Sequence, residues 1–498
     1  MFEQTRPFTL MQARLPLRDP HDCTDGADEL ALYRALYETL VGYGPRGFRP
    51  RLARAWQVSS DARIWRFRLR PGTLFHDGTP CDAQAVKTSL MRMARPDKGY
   101  ALGSPAVWRA YLGDADIRVE DADSLTIRLG TPMADLLDIL AQAFILSPAG
   151  LDALEAGTIA AAPGSGPFRL EEYGEGHLLL TRFAEYRGRR PTNDAIRVLA
   201  EPDRARRLDA LVAGQAQAAA DLDPQASMAL AQHGATRVES LTPVAIIFMM
   251  NAARGPLGDP TLRRALSLAI DRGALLRGAA GGAGRVLPGI VSPLHFGAPQ
   301  APEHEEDLIQ DPLQDPLYDP DQARALLAQA GHGDGLALTL DTPTRLPDEA
   351  QALSEGLRAQ LSAFGIRIDI RSHGEREAYA HQVRRKEIGD LCVFDSSPLS
   401  TFRVLVEKLD QRVRGAWWQG YASTAVEAAI DAGRAEPDET RRAAHYARAY
   451  RLMQADPPWL SLYNPTRITG LAGRHPAYRL PRDAVIDHAA LPALPADA

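Results

Sequence analysis

Two hydrophobic periodicities alternate along the first part of the chain. Residues 64–70 (IWRFRLR) place Trp65, Phe67 and Leu69 at every second position between arginines, the pattern of a half-buried β-strand. After a Pro-Gly turn, residues 82–93 have apolar side chains at helical spacing behind an aspartate that can cap the helix. This region therefore predicts a strand followed by an amphipathic helix.

The second half of the chain predicts parallel pairing. Residues 336–340, 347–364 and 366–370 have the pattern of a strand, a helix and a strand, which is typical of a βαβ unit. A further strand is predicted at residues 390–394. Residues 241–251 (LTPVAIIFMMN) form a continuous apolar run that suits a strand buried on both faces. The predicted fold class is α/β.

Length and charge narrow the range of functions. A chain of 498 residues with 45% hydrophobic content is too long for one core, so two or three lobes are expected. The 57 basic and 63 acidic residues are intermixed and sum to −6, which provides no basic field for nucleic acid. The sequence contains no run of about 18 apolar residues, which is the length that a membrane-spanning helix needs. The first ten residues, MFEQTRPFTL, lack the pattern of a secretory signal.

Two glycine-rich segments have the composition of catalytic loops but not their context. Residues 42–47 fit GxGxxG, yet they follow a predicted helix at 28–41, whereas a dinucleotide loop follows a strand. Residues 161–173 (AAPGSGPFRLEEY) do not have the spacing of a nucleophile elbow. Cys23, Cys81 and Cys392 are odd in number and far apart, so at least one thiol is free; we expect three reduced thiols, and one disulfide is the alternative. The sequence therefore favours a protein that is not an enzyme and has no cofactor or bound metal.

Several motifs occur in an order that resembles a known family. They are residues 71–88 (PGTLFHDGTPCDAQAVKT), 161–173, 260–272 (PTLRRALSLAIDR), 318–331 (YDPDQARALLAQAG) and 457–468 (PPWLSLYNPTRI). Together they resemble the family 5 solute-binding proteins of ABC importers, the peptide- and nickel-binding group. The resemblance covers nearly the whole chain.

The resemblance implies a fold and a division of the chain. It implies a two-lobe, periplasmic-binding-protein-like α/β fold of type II, cluster C, with an extra subdomain in the first lobe. Lobe I would comprise residues 1–245, with the subdomain at about 31–160. Lobe II would comprise residues 246–464, and residues 465–498 would return to lobe I.

The resemblance also implies where a ligand binds. In peptide binders of the family, an aspartate at the position of Asp395 holds the peptide's amino terminus. The sequence around it departs from the family, because Ser-Ser-Pro-Leu-Ser-Thr replaces the usual acidic-proline pattern; a plain Ser/Pro turn is the alternative interpretation. The predicted ligand-binding residues are Asp19, Ser165, Gly166, Asn251, Asp395, Ser396, Ser397, Arg403, Trp417, Trp418, Tyr463 and Arg467.

The implied function is capture of a solute for import. The chain would be a monomeric, extracytoplasmic component of an ABC importer that binds a short peptide or peptide-like polar ligand. Its partners would be a permease and an ATPase subunit, with no nucleic acid. Alternative ligands are an anionic metal chelate, an opine or an amino-acid conjugate. The missing signal leaves two locations open: the periplasm, after removal of a signal peptide, and the cytoplasm, for a ligand-sensing or catalytic protein of the same fold.

Overall fold

The chain divides into two compact units. The computed structural model describes residues 6–22, 25–44, 47–99, 108–298, 312–344, 348–396 and 398–493. Unit 1 comprises Met1–Tyr100, Pro105–Ser240 and Arg467–Ala498, and unit 2 comprises Ala101–Ser104 and Leu241–Thr466. Among the described residues, no helix is long and apolar enough to pass through a bilayer.

Unit 1 contains six helices and twelve strands among its described residues. The helices are α1 (Ala27–Leu36), α2 (Ala83–Met93), α3 (Arg109–Leu112), α4 (Leu136–Leu140), α5 (Leu151–Glu155) and α6 (Arg204–Val212). The strands are β1 (Phe8–Gln12), β2 (Val41–Tyr43), β3 (Phe48–Pro50), β4 (Ala53–Val58), β5 (Ile64–Leu69), β6 (Asp116–Asp121), β7 (Ser124–Arg128), β8 (Phe168–Gly174), β9 (His177–Arg182), β10 (Ala195–Ala200), β11 (Ala218–Ala219) and β12 (Thr236–Leu241).

The predicted strand and helix at residues 64–93 are confirmed as β5 and α2. β5 joins the antiparallel sheet β4–β5–β7–β6, with its aromatic and leucine side chains buried and its arginines exposed. Asp82 caps α2, because its side chain accepts a hydrogen bond from Ala85 N at 2.9 Å. Val86, Leu90 and Met93 are fully buried, and each contributes about 1.5–3 kcal/mol to stability through burial.

Unit 2 contains eight helices and six strands among its described residues. The helices are α7 (Pro260–Leu268), α8 (Arg272–Ala280), α9 (Pro320–Gln329), α10 (Ala350–Ser362), α11 (Arg376–Arg384), α12 (Thr401–Leu409), α13 (Thr424–Arg434) and α14 (Glu439–Ala455). The strands are β13 (Ala245–Met250), β14 (Gly284–Val286), β15 (Leu336–Pro343), β16 (Ile366–His373), β17 (Leu391–Ser396) and β18 (Trp459–Leu471).

The sheet of unit 2 has the order β16–β15–β17–β13–β18. β15 pairs in parallel with both β16 and β17, which confirms the predicted βαβ unit through α10. β13 is antiparallel to β17 and β18, and all six of its residues are buried, as the apolar run predicted. Since β15, β16 and β17 run in the same direction, their carboxyl ends share one edge of the sheet.

One predicted helix extends too far. The helix expected at residues 28–41 ends at Leu36, and Val41–Tyr43 forms the hairpin strand β2. The helix stops because Gly166 N donates to the Leu36 carbonyl at 3.0 Å, and Glu38 pairs with Ile145 as a β-bridge. After β17, the nine-residue helix α12 begins at Thr401. Residues 398–400 before it lie outside helix and strand, and their interpretation as a Ser/Pro turn stays a prediction.

Candidate functional site

The carboxyl end of β17 carries the central polar residue. Asp395 is half-buried and lies opposite Ile246 of β13. Tyr463 of β18 pairs with the same Ile246 from the other side. Three adjacent strands therefore bring Asp395 and Tyr463 into one row of the sheet, although they are far apart in sequence.

Helix α12 follows directly and is buried along its whole length. Its first turn is capped by Ser400, whose Oγ accepts a hydrogen bond from Arg403 N at 3.1 Å. Three charged side chains, Arg403, Glu407 and Lys408, are less than 7% exposed. Because burying an uncompensated charge costs several kcal/mol, such groups require charged or polar partners.

The buried charges of α12 lie close to one another and to β17. Arg403 Nε is 3.8 Å from Glu407 Oε2, one helical turn away. Lys408 Nζ donates to the Asp395 carbonyl at 3.4 Å and lies 6.0 Å from the ring centroid of Phe394. The strand end and the helix thus form one group of charged and aromatic side chains.

Ser396 adds a hydroxyl to this group. Its side chain is 2% exposed, and Oγ has no hydrogen-bond partner among the described residues. A buried polar group without a partner costs about 1–3 kcal/mol. Ser396 therefore contributes donor and acceptor capacity that the fold itself does not use. Ser397 lies outside the described residues.

Two aromatic rings pack together near the end of β17. The rings of Phe394 and Trp417 lie 4.7 Å apart, centroid to centroid. Trp417 belongs to the tryptophan loop, which we define as residues 414–421. In it, the Trp418 indole N–H donates to the Tyr421 carbonyl at 2.7 Å, and the Arg414 guanidinium lies 5.4 Å from the Trp418 ring.

Two predicted site residues of unit 2 have internal hydrogen bonds. The Tyr463 hydroxyl donates to the Glu349 carboxylate, and burial together with that charge raises the pKa of Tyr463. The Asn251 amide donates to the carbonyls of Ile388 at 3.4 Å and Gly389 at 3.1 Å. Asn251 thereby holds the turn that precedes β17.

In unit 1, Asp19 belongs to a network of charged side chains. Arg92 donates two hydrogen bonds to its carboxylate, at 2.6 and 3.0 Å, and Lys98 Nζ donates a third at 2.7 Å. Burial opposes ionisation of Asp19, but these cations and a hydrogen bond from His21 N at 3.0 Å more than offset it, so its pKa is well below the ordinary value. The Asp19 carboxylate is thus well supplied with internal donors.

The Gly-Ser-Gly segment of unit 1 packs against the end of α1. The Ser165 hydroxyl donates to Glu38 Oε2 at 3.2 Å, and burial raises the pKa of Glu38 to about 7. A Cβ on Gly166 would lie 2.5 Å from the carbonyl carbon of Leu36, so only glycine permits this approach. Arg467 donates to the Ala484 carbonyl at 3.2 Å.

The predicted site residues therefore fall into two groups. Asp395, Ser396, Arg403 and Trp417 gather at the end of β17, with Trp418 in the same loop. The others, whose roles in ligand binding stay predictions, take part in hydrogen bonds or packing elsewhere: Asp19, Ser165, Gly166, Asn251, Tyr463 and Arg467.

Sequence reasoning missed several members of the first group. Phe394, Glu407 and Lys408 belong to it through their contacts with Trp417, Arg403 and Asp395. A signal for α12 was present, since a serine at the cap position precedes apolar residues three and four apart in TFRVLVEKL. The burial of its charged face could not be read from that spacing. Within the described ranges, no three His, Cys, Asp or Glu residues gather as a metal site.

Comparisons with known proteins define the class. The profile of the family "Bacterial extracellular solute-binding proteins, family 5 Middle" matches residues 47–398. Glutathione-binding protein GsiB of Salmonella typhi is 28% identical over 382 residues, 74% of this chain and 70% of that protein. Di/tripeptide-binding protein 2 of Pseudomonas aeruginosa is 25% identical over 499 residues, covering 93% and 90%.

A solved structure shows the same fold. NikA from Brucella suis in complex with Fe(III)-EDTA has a TM-score of 0.81 at 20% identity, covering 98% of this chain and 100% of that one. The predicted two-lobe, periplasmic-binding-protein-like fold is confirmed. The chain belongs to the family 5 bacterial extracellular solute-binding proteins. The predicted role as the solute-binding component of an ABC importer is confirmed at the level of this family.

Proposed function

We propose that the chain binds a short peptide or peptide-like solute, such as glutathione, and delivers it to an ABC permease. The names of the relatives support this choice, since two of them bind glutathione or di- and tripeptides. In this proposal the protein works as a monomer in the periplasm, and the permease acts with an ATPase subunit. The lobes correspond to residues 1–245 with 465–498, and to residues 246–464.

The observation that carries the proposal is the half-buried Asp395 at the carboxyl end of β17, where the strands β15, β16 and β17 end at one edge of the sheet. An ammonium group would donate hydrogen bonds to a carboxylate at such a position. Hydrogen bonds between two charged groups are roughly twice as strong as those between neutral groups. We therefore assign Asp395 to the amino terminus of the solute.

An anionic chelate or opine is the second candidate, because a structural neighbour was solved with Fe(III)-EDTA. Such a ligand would use arginines as bidentate donors. The contacts of the two predicted arginines argue against it. Arg403 lies next to Glu407, and Arg467 donates to a backbone carbonyl. Asp395 would also repel a polyanion. We therefore rank the anionic ligand below the peptide.

Isothermal titration calorimetry of the purified chain tests the proposal. The probes are glutathione, a set of di- and tripeptides, their N-acetylated forms and Fe(III)-EDTA. We expect binding of an amine-bearing probe, loss of binding on acetylation, and a 30- to 100-fold weaker Kd in D395N, which corresponds to about 2–3 kcal/mol. D369N is the control, because Asp369 is exposed on β16.

Two results would contradict the proposal. Equal affinity for acetylated and free peptides would show that Asp395 does not bind the amino terminus of the solute. Binding of Fe(III)-EDTA alone would favour the second candidate.

A further inference from the structure

The amino end of the tryptophan loop is held by one lysine. Lys386 follows α11, and its Nζ donates to the Ala416 carbonyl at 2.6 Å and the Gly415 carbonyl at 3.1 Å. Its backbone φ is +63°, in the left-handed region that residues with a side chain rarely adopt. This conformation turns the chain at the end of α11, so the lysine combines an unfavourable backbone with two charge-assisted hydrogen bonds.

The carboxyl end of the loop is held by backbone packing. The Gln419 side-chain amide donates to the Val383 carbonyl at 2.8 Å, and the Gln419 backbone carbonyl accepts from Ala252 N at 2.8 Å. Gly420 has φ +92°, and a Cβ there would lie 2.1 Å from Ala253 N. These contacts place the carboxyl end close to the residues that follow β13.

Trp417 lies between these two attachments. Its ring packs on Phe394, the residue immediately before Asp395. Gly415 rests on the last turn of α12, where a Cβ would lie 2.3 Å from the Glu407 carbonyl oxygen. The backbone of the loop is therefore close-packed, and the Lys386 ammonium is the side chain that bonds the two carbonyls preceding the tryptophans.

We propose that Lys386 is a positioning residue for ligand binding: it holds the tryptophan loop so that Trp417 packs on Phe394 at the end of β17, one residue before Asp395. Lys386 itself does not touch the solute. Without the Lys386 ammonium, the Gly415 and Ala416 carbonyls lose their cationic donor, and the position of Trp417 is no longer fixed. A loop that is already held in place loses less conformational entropy when the ligand binds. The inference rests on the proposed function, which places the ligand at Asp395.

Fluorine NMR tests the positioning without any ligand. The chain has six tryptophans, which 5-fluorotryptophan labels and single Trp→Phe variants assign. In K386M we expect the Trp417 and Trp418 resonances to shift or broaden while those of Trp65 and Trp459 stay in place. K386R keeps donors for both carbonyls and should restore the spectrum. R385M is the matched control, because Arg385 bonds Glu387 and not the loop.

Calorimetry with glutathione as the probe tests the consequence for binding. We expect about tenfold weaker affinity in K386M, recovery in K386R and no change in R385M. Unmoved Trp417 and Trp418 resonances in K386M, or an affinity equal to that of the unchanged protein, would overturn the inference. If the unchanged protein binds neither glutathione nor peptides, the proposed function fails, and the fluorine spectra alone decide whether Lys386 positions the loop.

Discussion

The turn at residues 75–79 in unit 1 and the end of β17 in unit 2 both contain residue types that are common in binding and catalytic sites. The hydrogen bonds of the two segments differ. In unit 1, His76 receives a hydrogen bond from Gly164 N at 3.3 Å and donates one to the Gly166 carbonyl at 3.1 Å. The Asp77 carboxylate accepts from Thr79 N at 2.9 Å and from Ser147 Oγ at 2.6 Å. Each polar group of this segment stabilises a turn.

The end of β17 in unit 2 has a different arrangement. The Ser396 hydroxyl is buried with no partner among the described residues, and charged side chains of α12 are buried close by. The two segments cannot be distinguished by residue type, since both combine a carboxylate, a hydroxyl and an aromatic ring. They differ in one buried hydroxyl: that of Ser396 has no partner among the described residues, whereas that of Ser147 donates to Asp77.

The largest expected effect concerns the network of unit 1. Arg92 is 5% exposed and Asp19 is 14% exposed, so R92M leaves a buried carboxylate without its main partner. We expect the free energy of unfolding to fall by about 3–5 kcal/mol, measured by urea denaturation. R95M is the control, because the pairs of Arg95 with Asp97 and Glu155 are largely exposed and should contribute about 0–1 kcal/mol. A loss in R92M no larger than about 1 kcal/mol would show that burial of the Arg92–Asp19 pair does not stabilise the fold.

The pH dependence of stability tests the same region. His21 is fully buried, donates to the Phe144 carbonyl and accepts from Arg92, so it is neutral. Burial lowers its pKa from 6.5 to about 4. Between these values the unfolded chain binds more protons, so the contribution of His21, up to about 3 kcal/mol, is present above pH 6.5 and is lost as the pH falls to about 4.

The measurement is urea denaturation between pH 7 and pH 4. H21Q removes the titrating group, so its stability should fall less steeply over this range, although it starts lower at pH 7. The same slope in H21Q and the unchanged protein would mean that other groups cause the acid sensitivity.

The smallest expected effect compares two buried serines. S165A removes the hydrogen bond to Glu38 and should cost about 1 kcal/mol of stability with no change in ligand affinity. S396A removes a buried hydroxyl that has no partner among the described residues, so stability should rise by about 1 kcal/mol. Its affinity for the amine-bearing probe should fall about three- to tenfold. Thermal denaturation and calorimetry on both variants check this, and weaker binding in S165A alone would reverse the comparison.

Much of the local structure was predictable because it depends on neighbours in sequence. The alternation in β5, the cap of α2 by Asp82 and the βαβ unit of unit 2 follow from period and capping. The early end of α1 was not predictable, because it depends on Gly166, 130 positions after Leu36. Likewise, Asp19 has the local sequence of a cleft residue, yet its partners Arg92 and Lys98 come from a distant helix and the turn after it.

The sequence by itself determined the family and the fold, because ordered motifs and hydrophobic periodicity are properties of consecutive residues. It also singled out Asp395 through its place at a strand end. Only the tertiary structure decided which polar groups are already satisfied: Ser165 by Glu38 and Tyr463 by Glu349. It also decided that Lys386 reaches the tryptophan loop. Hydrogen bonding between distant residues depends on the packing of whole elements, and a sequence pattern of neighbouring residues does not encode it.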